Sequence, residues 1–234
     1  MKIYKFAGVA LAASLAAFQA PAQQPAAPAG GTDHGALIKQ SLEKSAVTLR
    51  QYQWVETTVI SMKGEEKSRK QENCYYGADG KLQKTLIGAP PEEKKKGGLR
   101  GKAIENKKEE VGDAAKEAVG LVKQYVPPDP ARIAAAKQAG RLSVTPPNAQ
   151  GQVVVLIKDY LKPGDSLMLT LNAATNVLTG IKVATFTDSA KDAVDLNVTM
   201  AAFPDGTVYT SATQLDVKSQ NLGVAITNSG YKKL

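Results

Sequence analysis

The sequence predicts an α+β fold built on an antiparallel sheet, and three observations predict it. The first is the stretch Gln152–Ser229. There Val153–Ile157, Ser166–Leu171, Val177–Phe186, Val194–Phe203, Thr207–Val217 and Val224–Thr227 carry apolar residues at period two or in short runs. Turn sequences separate them: Lys162-Pro163-Gly164-Asp165, Asn172–Asn176, Asp188–Asp192, Pro204-Asp205-Gly206 and Ser219–Asn221. The second is a shorter set of the same kind, Tyr52–Ser61, Lys67–Tyr76 and Lys81–Ile87, broken at Met62-Lys63-Gly64-Glu65 and at Gly77-Ala78-Asp79-Gly80. The third is helical spacing in three short segments, Ala36–Gln51, Ala114–Tyr125 and Ala131–Gln138.

At the N-terminus, Lys2 and Lys5 precede an apolar run from Phe6 to Phe18, which ends in Ala20-Pro21-Ala22. A basic start, a short apolar body and small residues before a cut site spell a secretory signal peptide, with cleavage expected after Ala22. The run is too short to span a bilayer. No Cys stands at the cut site, so a lipid-modified terminus is not expected, and the Ala-rich body points to a bacterial periplasm. Residues 23–35, rich in Pro, Ala, Gln and Gly, cannot bury enough apolar surface to order themselves and are expected to form a flexible lead-in. Residues 36–234 are then long enough for a single domain with its own core.

Ile38, Leu42, Ala46 and Leu49 form one apolar stripe on the first helix, which Thr32 or Asp33 can cap. The three strands that follow read as an up-and-down meander. Residues 89–113 then change character, with Pro90-Pro91, Lys94-Lys95-Lys96, Gly97-Gly98 and Lys107-Lys108. They read as an exposed charged loop. A phosphate-binding loop fails here, because Lys96 stands where the first Gly belongs and Ala103 where Ser or Thr belongs. In the next helix Ala115, Val119 and Val122 share a face. Asp129-Pro130 opens the third helix and Gly140 closes it.

Charge is unevenly placed. Without the leader the chain keeps 28 basic and 22 acidic residues, yet Gly151–Leu234 holds seven Lys, seven Asp and no Glu or Arg. The excess lies wholly in the first half. Nucleic acid is not an expected partner for an exported chain, whereas an anionic membrane surface is, through Lys94, Lys95, Lys96 and Arg100. The single cysteine, Cys74, cannot close an internal disulfide and reads as a small buried hydrophobe.

Catalytic signatures are missing from the sequence. It contains no Gly-x-Ser-x-Gly, its single histidine, His34, falls in the lead-in, and most acidic residues of the second half sit in turns for backbone reasons. No enzyme activity, metal or cofactor is expected, and a monomer is.

The layout of one helix, three strands, a helical excursion and a long meander resembles the LolA/LolB-like family of periplasmic lipoprotein carriers. The phrases that carry the likeness are Tyr52-Gln53-Trp54, Tyr76-Gly77-Ala78-Asp79-Gly80-Lys81, Pro204-Asp205-Gly206-Thr207-Val208-Tyr209 and the closing Ile226-Thr227-Asn228-Ser229-Gly230-Tyr231-Lys232-Lys233. The resemblance covers most of residues 36–234. It implies a strongly curved sheet, a half-open barrel, with the first helix and the mid-chain helical pair covering the concave face. It also implies a periplasmic, non-enzymatic carrier for a lipid or lipoprotein acyl chain. Expected inward residues are Trp54, Leu167, Leu169, Leu171, Val194, Leu196, Val198 and Met200. The competing expectation is an envelope structural or interaction protein with a filled core, meeting its partner through the basic loop.

Overall fold

A computed structural model describes residues 43–88, 115 and 117–234 of the chain. The expected leader, the lead-in, the start of the first helix and the charged loop with Lys94, Lys95, Lys96 and Arg100 lie outside the described residues.

Ten strands form one antiparallel sheet: β1 (Tyr52–Met62), β2 (Glu65–Tyr76), β3 (Leu82–Leu86), β4 (Leu142–Val144), β5 (Gln152–Lys158), β6 (Ser166–Asn172), β7 (Leu178–Phe186), β8 (Ala193–Ala202), β9 (Val208–Val217) and β10 (Leu222–Lys233). Three described helices accompany it, α1 (residues 43–49), α2 (residues 117–122) and α3 (Pro130–Gln138). The strand order is β3-β2-β1-β10-β9-β8-β7-β6-β5-β4. The chain thus writes two meanders and joins them by pairing its first strand with its last. The sheet is curved and unclosed, with β3 and β4 at its edges. Register shifts in β1 at Gln53/Val55 and Ile60/Ser61, and further ones at Thr170/Leu171 and Thr199/Met200, add the local bend and twist that curvature needs.

The turns follow from their residues. Lys63 and Gly64 both take positive φ, 52° and 80°, as a tight two-residue hairpin between right-twisted strands requires. At the next hairpin the Asp79 carboxylate accepts from the Lys81 amide at 3.0 Å. Asn172 Oδ1 accepts from the amides of Ala174 and Thr175 in the β6–β7 turn. The segment expected as a turn at Asp188–Asp192 contains one 3-10 turn, Ala190–Asp192, capped by Ser189.

β10 departs most from expectation. The sequence marks only Val224–Thr227, whereas the strand runs for twelve residues. Asn228-Ser229-Gly230 reads as a turn in isolation. Here Gly230 takes φ 62° at the bulge opposite Gln53–Val55, and the ladder resumes at Lys232–Gln53. A partner strand has overridden a local signal.

The core lies on one face of the sheet, called the inner face below. Strict alternation puts Leu167, Leu169 and Leu171 of β6, Ile181 and Val183 of β7, and Val194, Leu196 and Val198 of β8 inward and buried. Ala118, Val122, Tyr125 and Ala136 from α2, the following turn and α3 pack against them. α3 starts where Asp129 accepts from the Ala131 amide at 2.8 Å with Pro130 behind it. It ends where Gly140 takes φ 68°.

One buried carboxylate ties this helical layer to the sheet. Asp165, 3 % exposed, accepts from the amides of Tyr160, Leu161 and Lys162 at 2.6, 3.1 and 3.0 Å. It also accepts from the Tyr125 hydroxyl at 2.6 Å, which lies 2.7 Å from Thr185 Oγ1 on β7. Tyr160 in turn accepts from the Asp129 amide at the cap of α3. Burial, and then the Asp165 carboxylate, push the Tyr125 phenol well above its ordinary pKa.

Two outcomes follow. Asp165→Ala strips the acceptor from three amides and one phenol and is expected to cost roughly 3 kcal/mol or more, read as a lower urea midpoint. The raised Tyr125 pKa means that the folded state holds this proton more tightly than the unfolded state. Its contribution is complete below the ordinary phenol value of 10.0 and is lost as pH climbs past it. The melting temperature should therefore fall more shallowly above that pH in Tyr125→Phe than in the parent.

Candidate functional site

The inner face changes chemistry where the sheet passes from β10 to β1. In the described core cluster β1 contributes only Ile60, as a partly buried neighbour, and β2 and β3 contribute nothing. Glu65–Gln71 of β2 and all of β3 are exposed. Register puts a different set on this wing. Glu56 pairs with Glu72, Thr58 with Lys70 and Ile60 with Ser68 across β1–β2, and Lys84 of β3 lies opposite Cys74. With side chains alternating at period two, Glu56, Thr58, Ile60, Ser68, Lys70, Glu72 and Lys84 share one face. Together they line a groove of about 420 Å³.

Two carboxylates set directly opposite each other repel and destabilise a strand pair. Two lysines relieve them here: Lys84 Nζ lies 2.6 Å from Glu56 Oε1, and Lys70 Nζ lies 3.0 Å from Glu72 Oε1. Thr58 adds a longer hydroxyl contact to Glu56 at 3.4 Å. The carboxylates are recessed, with side chains 12 % and 13 % exposed, while Lys84 and Lys70 are 35 % and 47 % exposed. Anionic groups therefore form the floor of the groove and ammonium groups its mouth. Solvated pairs of this kind add less than about 1 kcal/mol each, so stability gives little reason for the quartet.

At one end the groove meets an aromatic wall. Trp54 stacks on Tyr231 with centroids 5.5 Å apart and tilts against Tyr76 at 5.9 Å. Tyr231 touches Tyr209 at 4.4 Å, and Phe203 stacks on Tyr209 at 4.4 Å and on Tyr52 at 4.8 Å. α1 bears on the same end of the sheet, where Ser45 Oγ accepts from the Val208 amide. Cys74 lies fully buried opposite Trp54. Burial and then the Glu56 carboxylate push its thiol up. Burial and then its tyrosine neighbour Tyr209 push the Tyr231 phenol up. Trp54 Nε1 and Asn228 Oδ1 are buried without hydrogen-bond partners. Both belong to the β1–β10 seam beside the groove, since Asn228 pairs with Glu56.

The residues expected to face inward are divided between these two halves. Leu167, Leu169, Leu171, Val194, Leu196 and Val198 are buried in the core against α2 and α3, and Met200 is partly buried against that core. Trp54 alone stands at the groove, in its aromatic wall. Glu56, Ser68, Lys70, Glu72 and Lys84 were not singled out by the sequence. Counting back from the Lys63-Gly64 hairpin does not find them, because the register shift between Ile60 and Ser61 moves the pairing by one residue and Lys84 is placed by the next hairpin. Among the described residues no three His, Cys, Asp or Glu side chains are grouped to hold a metal. No described helix is long and apolar enough to cross a membrane.

Cys74 supplies a check on this geometry. Buried and with a raised pKa, it should resist a thiol reagent such as Ellman's at pH 8 in the folded protein and react at once in denaturant. Rapid labelling of the native protein would show that the wall between Trp54 and Tyr76 is open.

No family model matches the chain, and no curated protein matches it. Among solved structures it is similar to a LolA superfamily protein from Nitrosomonas europaea, at 11 % identity and a TM-score of 0.36, covering 84 % of this chain and 93 % of the other. It is similar also to a DUF1329 family protein from Desulfovibrio piger, at 8 % identity and a TM-score of 0.35, covering 84 % and 92 %. A third likeness is to MucB in complex with MucA(peri), at 10 % identity and a TM-score of 0.24, covering 83 % and 93 %.

Proposed function

We propose that this protein is a non-enzymatic periplasmic binding or carrier protein that holds an acylated amphiphile on the β1–β3 wing of its sheet. The observation that carries the reading is the groove of about 420 Å³. It lies on the inner face and has Ile60, a neighbour of the apolar core, in its lining. That volume falls in the lower part of the range of small-molecule sites. An apolar chain laid along Ile60 would extend the core, while a polar head would stay among the charged side chains. The signal-peptide pattern of residues 1–22 supports the compartment. Binding would shield the chain from water, with no covalent step.

A second reading has its own support. The inner face over β5–β8 is filled by α2, α3 and the turn between them, as an envelope interaction protein with a closed core would have it. The two readings separate by experiment. Trp54 is the single tryptophan of the chain and lies two residues before Glu56 on β1, so its emission is a local probe of the aromatic end beside the groove. On the carrier reading, titration of the full chain with an uncharged alkyl probe such as dodecanol shifts that emission and saturates near one equivalent. Protein purified natively from the envelope fraction should also release acyl chains detectable by mass spectrometry. A flat titration together with a lipid-free extract would remove the carrier reading and leave the interaction protein.

A further inference from the structure

We infer that the groove selects its amphiphile by an oxyanion at the head, taken between the ammonium groups of Lys70 and Lys84. The inference rests on the binding reading above and adds the chemistry of the ligand.

Three features of the groove point the same way. The first is the order of its charges. Glu56 and Glu72 are recessed, while Lys84 and Lys70 are nearly three and four times as exposed, at 35 % and 47 % against 12 % and 13 %. A ligand arriving from solvent meets the cations first. A cationic head would have to displace both lysines to reach a carboxylate. The second is donor count. An ammonium group has three N–H donors; Lys84 donates one to Glu56 and Lys70 stands in an ion pair with Glu72, so each keeps donors for a ligand. A carboxylate or phosphate oxygen can take these in charge-assisted hydrogen bonds, with the Ser68 hydroxyl on the same face as a further donor. The third is the apolar exit. Ile60 lies two residues beyond Thr58 on β1 and packs on the core cluster. A single chain leaving an oxyanion bound at Lys70, the cross-strand partner of Thr58, therefore has an apolar strip to follow.

The carboxylates tune this site. They pair with the two ammonium groups that line the groove and keep the empty groove neutral. They also compete with the ligand for the same N–H donors. Removing one is then expected to strengthen oxyanion binding, an effect opposite to that of a merely structural ion pair.

The test uses the full chain and four twelve-carbon probes below their micellar concentrations: dodecyl phosphate, dodecanoate, dodecanol and dodecyltrimethylammonium. Calorimetry and Trp54 emission give the affinities. The two oxyanions should bind about tenfold more tightly than dodecanol, in keeping with one or two charge-assisted hydrogen bonds, and the ammonium probe more weakly than the alcohol. The preference should shrink between low and high salt. Lys70→Gln and Lys84→Gln should each bring the ratio of oxyanion to alcohol affinity toward one. Glu56→Gln and Glu72→Gln should raise it several-fold. Tighter binding of dodecanoate identifies a free fatty acid head, and tighter binding of the phosphate a phospholipid one. Equal affinity for all four probes overturns the oxyanion inference and leaves the carrier reading standing. Failure of all four to bind overturns both. A fall in the ratio in Glu56→Gln would also overturn it, since the carboxylate would then be assisting the anion rather than competing with it.

Discussion

The ladder between β1 and β10 is the constraint on which the rest of the structure depends. It joins ends of the chain far apart in sequence, as in the contact between Ser61 and Gly223, 162 residues apart. Pairing runs in unbroken register from Val55–Ser229 to Met62–Leu222. A slip by one residue would turn every side chain of the hairpin to the opposite face. Glu56, Lys70 and Glu72 would then leave the inner face, and Ile60 would leave the core. The seam therefore fixes which chemistry the wing presents, and it brings the charged groove and the apolar core onto one continuous surface.

The two sides of that seam are stabilised differently. From β5 to β10 the inner face is closed by helices, and Asp165 anchors the closure through Tyr125 and the amides of Tyr160, Leu161 and Lys162. Side chains such as Leu169 and Val194 contribute on the order of 2 kcal/mol each when buried this fully. On the wing, β2 is exposed through its first seven residues and β3 throughout. Its cohesion comes from backbone ladders, from solvated pairs such as Glu66–Arg69, and from the aromatic wall at its base. Little burial supports it, so it is the part of the sheet most readily opened.

Much of this was legible in the sequence. Alternation and turn residues placed nine of the ten strands, missing the three-residue β4 and the second half of β10, and the meander plan is the observed one. The chain lost legibility where tertiary partners decide. Alternation marked only Val224–Thr227 of β10, and pairing with β1 carries that strand on to Lys233. The polar residues of Lys67–Tyr76 suggested a solvent face opposite an apolar one. In fact both faces of the outer half of β2 are in water, and polarity there reports distance from the core rather than direction. For the same reason the apolar stripe marked Leu167, Leu169, Leu171, Leu196 and Val198, while Lys70 and Lys84 looked like ordinary surface charge. Their placement over Glu72 and Glu56 depends on cross-strand register, which composition does not carry.

Weak support of the wing bears on how a groove on it would work. β1 belongs to both halves: its inner face supplies Ile60 to the core neighbourhood and Glu56 and Thr58 to the groove, and its ladder to β10 is continuous between them. A ligand bridging Lys70 on β2 and Lys84 on β3 would cross-link strands that share few buried contacts. It would give the wing the cohesion that the core gives β5–β10. Free energy gained on binding is then divided between contacts with the ligand and the ordering of the strands that make them. Burial in β5–β10 and exposure in β2–β3 are in this sense complementary. The filled half holds the register of the seam, and a ligand bound on the wing would add burial where the sheet has least.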